Sequence, residues 1–182
     1  MSINREPEYY DNIYKESDEY KKNYRESVYI YQWLRVLDLI PLAVDMTELG
    51  CGTGQFAELV ADTRGGIQYS GYDFSQEAIN QCNMKGLVDY QFEVADLTKT
   101  KFGTDHNFFV ALEIFEHTDD YQIIKNLGLG KEIIFTVPDF NDPAHVRYFH
   151  SINEVVERYK NVIRFSHVEK FESWFICKGC TQ

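Results

Sequence analysis

Two hydrophobic rhythms divide the chain. In the stretch "NYRESVYIYQWLRVLDLI", Val28, Tyr31, Leu34, Leu37 and Ile40 recur at helical spacing and Pro41 closes the pattern. Residues 1–40 are therefore expected to be helical. After them, short apolar runs alternate with amphipathic ones. "AVDMTEL", "IQYSGYD", "DYQFEVAD", "NFFVALE" and "KEIIFTVP" read as strands, the last ended by Pro138. "QFAELVAD", "SQEAINQCNMKG", "DDYQIIKNLG" and "SINEVVERYK" read as helices between or after them. Ser75 is a natural N-cap, Glu77 lies in the first turn and Gly86 is a stop. "NVIRFSHVE" and "SWFICKG" are separated by so few residues that they predict an antiparallel hairpin.

Strand and helix in alternation imply βαβ units, since parallel neighbours need a crossover between them. The fold class expected is α/β: a doubly wound, mostly parallel seven-stranded sheet with a C-terminal antiparallel hairpin. The segment "LTKTKFGTDH" is too short and turn-rich for a full crossover helix, so this unit is pared down. No repeat, low-complexity tract or linker interrupts the chain. A single domain over residues 1–182 is expected, with a helical cap at 1–40 and an α/β core at 41–182.

Composition narrows the class. The 182 residues are 44% apolar and 26% charged, as in globular proteins. The net charge of −11 disfavours a non-specific grip on a polyanion, and no Lys/Arg run is visible. No nucleic-acid partner is expected. The opening segment is polar throughout, so neither a secretory leader nor a membrane anchor is expected, and the cytoplasm is the expected location. Cys51, Cys82, Cys177 and Cys180 show no disulfide-framework spacing, which fits a reducing compartment. "CKGC", Cys177 to Cys180, is half a zinc motif without its other half and is expected to be an exposed chain end after a strand.

The chemistry gathers around "VDMTELGCGTGQF". Gly50, Gly52 and Gly54 follow a strand and precede a helix, where a doubly wound sheet binds its ligand. Gln55 stands where a dinucleotide fingerprint requires its third glycine, and Glu48 would repel a pyrophosphate. An acid there suits a ligand with a cationic part. Asp73, at the end of the second strand, can accept both ribose hydroxyls of an adenosine, and Phe74 can lie against a base. Asp96, after the third strand, can accept from an exocyclic amine. Acids, bare backbone and apolar walls without Lys or Arg complement an adenosine carrying a sulfonium and an amino-acid tail.

"ELGCGTGQF", "YDFS", "VADL" and "ALEIFEH" resemble, in order, the successive motifs of class I S-adenosylmethionine-dependent methyltransferases over about residues 44–140. The resemblance implies a Rossmann-like methyltransferase fold with S-adenosylmethionine as cosubstrate. It implies that Glu48, Gly50, Gly52 and Gly54 line the methionine end, that Asp73 holds the ribose and that Asp96 holds the adenine amine. Tyr14, Cys51, Phe56, Phe74, Leu97, Glu113 and Ile114 complete the expected donor contacts, Glu113 beginning the loop over the sulfur end.

The place after the fourth strand reads "LEIFEH", not the Asn/Asp-Pro-Pro-aromatic motif of amino-group methyltransferases, and the Pro-Cys of cytosine-carbon enzymes is missing. "EIFEHTDD" is similar to a subgroup acting on small molecules, quinone-precursor O-methyltransferases among them. A small-molecule acceptor, methylated at oxygen, is therefore expected, with His117 or His150 as base. Glu113, Glu116 and His117 also resemble the Glu-x-x-Glu-His cluster of metal-assisted RNA 2′-O-methyltransferases, with His145 or His150 available as a further ligand. The same string occurs widely without that role, and the chain is acidic, so no divalent metal is expected. A donor-binding partner protein without activity is the remaining alternative. The acceptor pocket is expected from Tyr9, Tyr10, Tyr14, Tyr20 and Tyr24 of the cap and from Phe140, His145, Arg147, Tyr148 and His150 in the loop after the fifth strand, with Arg147 open to an anionic acceptor. Nothing in the sequence sets the oligomeric state.

Overall fold

The structure, a computed structural model, describes residues 7–182; residues 1–6 of the expected cap lie outside the described residues. Strands β1 (Met46–Leu49), β2 (Tyr69–Asp73), β3 (Tyr90–Val94), β4 (Phe108–Ala111), β5 (Glu132–Pro138), β6 (Ile163–Phe171) and β7 (Trp174–Thr181) form a seven-stranded sheet in the order β3-β2-β1-β4-β5-β7-β6. Helices are α1 (Pro7–Glu16), α2 (Ile30–Leu39), α3 (Gln55–Thr63), α4 (Gln76–Met84), α5 (Asp120–Leu127) and α6 (Ile152–Tyr159), with short 3₁₀ turns at Glu19–Lys21 and Tyr24–Glu26. This is the expected mostly parallel Rossmann-like arrangement with antiparallel strands at the C-terminal end. Contacts among the described residues gather into two compact units, residues 7–97 and Thr98–Gln182.

In the first unit, β1, β2 and β3 pair in parallel. All four residues of β1 are buried, as expected for a strand covered on both faces, whereas β3 is mostly exposed. The cap is latched to α3: Tyr24 donates to Asp62 at 2.9 Å, and Trp33 meets Phe56 edge-on at 6.2 Å. Its stripe differs from the expected one. Val28, Tyr31 and Leu34 are exposed, and the buried face carries Gln32, Trp33, Val36 and Leu37. Leu37 and Ile40 of the expected stripe are buried, so spacing placed the face only in part, because apolar residues stand on both sides of α2.

In the second unit, β4 and β5 are parallel, β5 and β7 antiparallel, and β7 and β6 form the predicted hairpin. No helix lies between Val94 and Phe108, in line with the pared-down crossover. "CKGC" is not a chain end beyond a strand: it lies inside β7, with Cys177 buried. Alternation along β7 turns Cys177 into the core, which pushes its thiol well above the usual range. Among the described residues, no helix is long and apolar enough to cross a membrane.

Asp120 is the polar pin of this unit. It accepts from Arg158 Nε and Nη2 at 2.8 and 2.7 Å and from Tyr159 Oη at 2.7 Å. Tyr159 then packs against Phe115, Phe135 and Phe149. Asp120→Ala leaves a guanidinium and a buried hydroxyl unpaired. The expected loss is about 3 kcal/mol in urea unfolding, the low end for such pairs because Arg158 stays 29% exposed. A loss near zero would show that water replaces the carboxylate.

Candidate functional site

The glycine loop turns between β1 and α3. Gly50, Gly52 and Gly54 have φ of 73°, 50° and 75°, a left-handed region that a side chain at Cβ disfavours. Gly50 and Cys51 both donate their N–H to Tyr72 O, at 2.7 and 3.0 Å. Gly54 precedes α3 as its N-cap, where a Cβ would lie 3.0 Å from Cys82 Sγ. A side chain there would require Cys82 to give way by a few tenths of an ångström.

Asp73 organises this loop. Its two carboxylate oxygens accept from Gly52 N and Ser75 N, each at 2.9 Å. Burial pushes its pKa up to about 6, against the lowering effect of backbone N–H from Ser75, Gly52 and Phe74. A carboxylate has lone pairs for about four donors, so capacity remains for ribose hydroxyls. Ser75 caps α4 by accepting from Ala78 N, and its own hydroxyl donates to Asp11 of α1. Asp11 also accepts from Glu77 N at 3.2 Å. Asp11 was missed in the sequence; "YYDNIY" has no signal beyond a polar residue on a helix.

The cap covers the loop. The Tyr14 hydroxyl stands 3.4 Å from where a Cβ on Gly52 would be, and burial, then Asp73, raises its pKa. Thr53 Oγ1 donates to Tyr20 O at 2.6 Å, and Gln55 Nε2 to Glu19 O and Lys22 O. Phe74 lies 5.0 Å from the Tyr10 ring. Other expected donor residues face elsewhere. Cys51 packs with Ile79, Cys82 and Phe92, and Phe56 packs on Trp33. For these two, the backbone borders the loop while the side chain belongs to the core. Leu97 is buried and Asp96 is half-buried after β3.

Glu48 is held inward. Tyr69 Oη donates to its carboxyl, and burial raises its pKa to about 8, so the neutral acid persists at neutral pH.

The second unit holds the remaining expected residues. Glu113 has a left-handed φ of 56° and both its oxygens are engaged: Oε1 accepts from Thr136 Oγ1 at 2.8 Å and Oε2 from Trp174 Nε1 at 2.6 Å. Trp174 was not anticipated. Only the hairpin register, which pairs it with Pro138 two residues from Thr136, brings it there. Ile114 follows, half-buried. His117 and His145 meet with ring centroids 5.0 Å apart, and Phe140 contacts both His145 and Trp174. His150 is exposed: its N–H donates to Glu154 at 2.8 Å beside the α6 start, and its ring packs on Tyr148. Arg147 is turned inward. Its Nη1 donates to Phe115 O and to Thr118 O and lies 3.5 Å from Asp120, so it ties loops together instead of awaiting an anion.

Residues 47–128 match the family described as "Methyltransferase domain". A methyltransferase structure from Aquifex aeolicus, described as SAM dependent, is 13% identical with a TM-score of 0.67, covering 98% of this chain and 100% of that one. The DhpI-SAM-HEP complex is 19% identical with a TM-score of 0.73, covering 96% and 95%. The [4+2]-cyclase SpnF is 13% identical with a TM-score of 0.74, covering 96% and 94%. No curated protein matches in sequence. Residues 47–128 are thus similar to methyltransferase domains, and the described chain has the fold of these S-adenosylmethionine-dependent methyltransferase structures.

The Glu48 carboxyl gives a stability signature. Its folded pKa, about 8, exceeds its ordinary 4.5, so the folded state holds a proton that the unfolded state releases. Stability is fully present below pH 4.5 and falls as pH rises through about 8, by at most about 5 kcal/mol. Asp73 contributes in the same direction between 3.8 and about 6. Glu48→Gln keeps the neutral shape and removes the first effect. The difference between wild type and variant in denaturant unfolding should therefore grow from pH 5 to pH 8. Parallel pH profiles would show that Glu48 is ionised in the fold.

Proposed function

We propose that this protein is an S-adenosylmethionine-dependent methyltransferase acting on a small-molecule acceptor at oxygen. The observation that carries the donor assignment is the Asp73 carboxylate, fixed at the end of β2 by the N–H of Gly52 in a loop of left-handed glycines. That arrangement offers a ribose acceptor beside bare backbone. Glu48 adds a carboxyl poised to ionise when a sulfonium or ammonium comes near, since a neighbouring cation favours the charged form. The methyl of the donor is already activated. The protein then has to align the acceptor and take one proton.

Aromatic and imidazole groups favour a small, planar or hydroxylated acceptor. Phe140, His145, His117 and Trp174 form a connected set in the second unit. His117 Nδ1 lies 3.1 Å from Ala144 O; donating there places the lone pair on Nε2. Of the two expected bases, this favours His117, because His150 is exposed on the chain just before Ser151, the N-cap of α6. The net charge of −11 weighs against an RNA acceptor. A second reading, donor binding without methyl transfer, is kept because the same fold occurs in SpnF, described as a cyclase.

Calorimetric titration with S-adenosylmethionine and with S-adenosylhomocysteine tests the donor site. Wild type should bind both in the micromolar range, and Asp73→Ala should weaken binding by about tenfold or more, the loss of charge-assisted hydrogen bonds. At pH 7 the heat should depend on the buffer's ionisation enthalpy, because Glu48 releases a proton. No binding by a folded sample removes the donor assignment. Binding without turnover over a panel of hydroxylated acceptors favours the second reading.

A further inference from the structure

Glu116, His117 and His145 bring one ligand atom each to within 4.8 Å of one another. Glu116 is fully buried, and neither oxygen of its carboxyl has a hydrogen-bond partner among the described residues. Such a group is costly unless something compensates it. Glu113 itself does not join the set, since Thr136 and Trp174 hold both its oxygens.

The two imidazoles are oriented as ligands are. His117 Nδ1 lies 3.1 Å from Ala144 O, and His145 Nδ1 lies 3.3 Å from Phe140 O. A carbonyl accepting from Nδ1–H sets the tautomer in which Nε2 carries the lone pair, as in most metal-bound histidines. The loops carrying these side chains are also fastened to each other. Val146 N donates to Glu116 O at 2.7 Å, and Arg147 bridges Phe115 O and Thr118 O while facing Asp120. The donor set is thus held in place by backbone bonds on either side of it.

We propose that Glu116, His117 and His145 form a binding site for a first-row divalent cation such as Mn²⁺, Fe²⁺ or Co²⁺. Two imidazoles and one carboxylate leave open positions and suit these borderline ions better than Mg²⁺, which prefers oxygen ligands. A cation there neutralises the buried carboxylate and occupies the His117 lone pair. An acceptor hydroxyl bound to such a cation would have its pKa lowered and would pass its proton to solvent water instead of to His117, whose lone pair the ion would hold. Only this last consequence rests on the methyl-transfer reading; binding of the ion does not.

The test uses the full chain stripped with a chelator and titrated with Mn²⁺ by calorimetry and with Co²⁺ by visible absorption. One equivalent should bind, with Co²⁺ developing ligand-field bands, and Mg²⁺ should compete poorly. His145→Ala, on a half-exposed loop, should weaken binding by about 10–100-fold with far-ultraviolet circular dichroism unchanged. Glu116→Gln should do the same if it folds; His145→Ala carries the test if it does not. Absence of saturable binding to wild type, or equal binding by wild type and His145→Ala, overturns the site and leaves Glu116 a neutral buried acid. Neither outcome touches the donor titration, which is read without metal.

Discussion

The first unit depends on one carboxylate. Asp73 ends β2, and its side chain holds the N–H of Gly52 on one side and of Ser75 on the other. It thereby joins the glycine loop to the start of α4. The same residue's carbonyl accepts from Ala95 N at 2.8 Å, which ties in the exit of β3. Three chain segments meet at one residue. The cap is added to this junction through Asp11, which reaches Ser75 and Glu77. A ligand that bonds to Asp73 therefore touches the piece that sets the loop, the helix start and the cap together.

The second unit has a counterpart with a different purpose. Asp120 anchors Arg158 and Tyr159 and stands near Arg147, whose guanidinium clasps the 115–118 turn. The sequence offers Arg147 as a contact for an anionic acceptor. The fold instead uses it to fix the loops that present Glu116, His117 and His145. An arginine suits this task because its planar fork can bond several carbonyls at once.

The parts legible in the sequence are those that local chemistry dictates. Strand and helix order follows from periodicity, the Ser75 cap follows from its place before an amphipathic run, and three glycines in a row of alternate positions announce left-handed backbone. The exposed and buried faces of α2 were less legible, because Tyr31 and Leu34 are as apolar as Val36 and Leu37 and only the partner decides which turns inward. The Cys177–Cys180 string was misplaced for a similar reason: its alternation belongs to β7, whose end is set by pairing with β5 and β6. The union of His145 with Glu116 and His117 spans some thirty residues and rests on cross-loop hydrogen bonds that no short-range pattern encodes. The Glu-x-x-Glu-His string held both carboxylates, Glu113 and Glu116; that Trp174 of the final strand bonds to Glu113 was not legible in it.

A common electrostatic state links the acids of both units. Glu48, Asp73 and Glu116 are all pushed up from the ordinary carboxylate range, and in each case burial is the first cause. A chain with a net charge of −11 thus keeps its interior acids short of full charge. That is the physically stable resting state, because an isolated buried carboxylate is strongly disfavoured. It also makes each of these groups responsive to positive charge. A sulfonium or ammonium near Glu48, or a divalent ion beside Glu116, provides the one interaction that reverses the effect of burial. Neutral ligands of the same size gain nothing from that reversal. The preference for a charged donor over its neutral relatives then rests on the release of a proton from the protein, and it strengthens as pH rises towards the pKa of the group concerned and levels off above it.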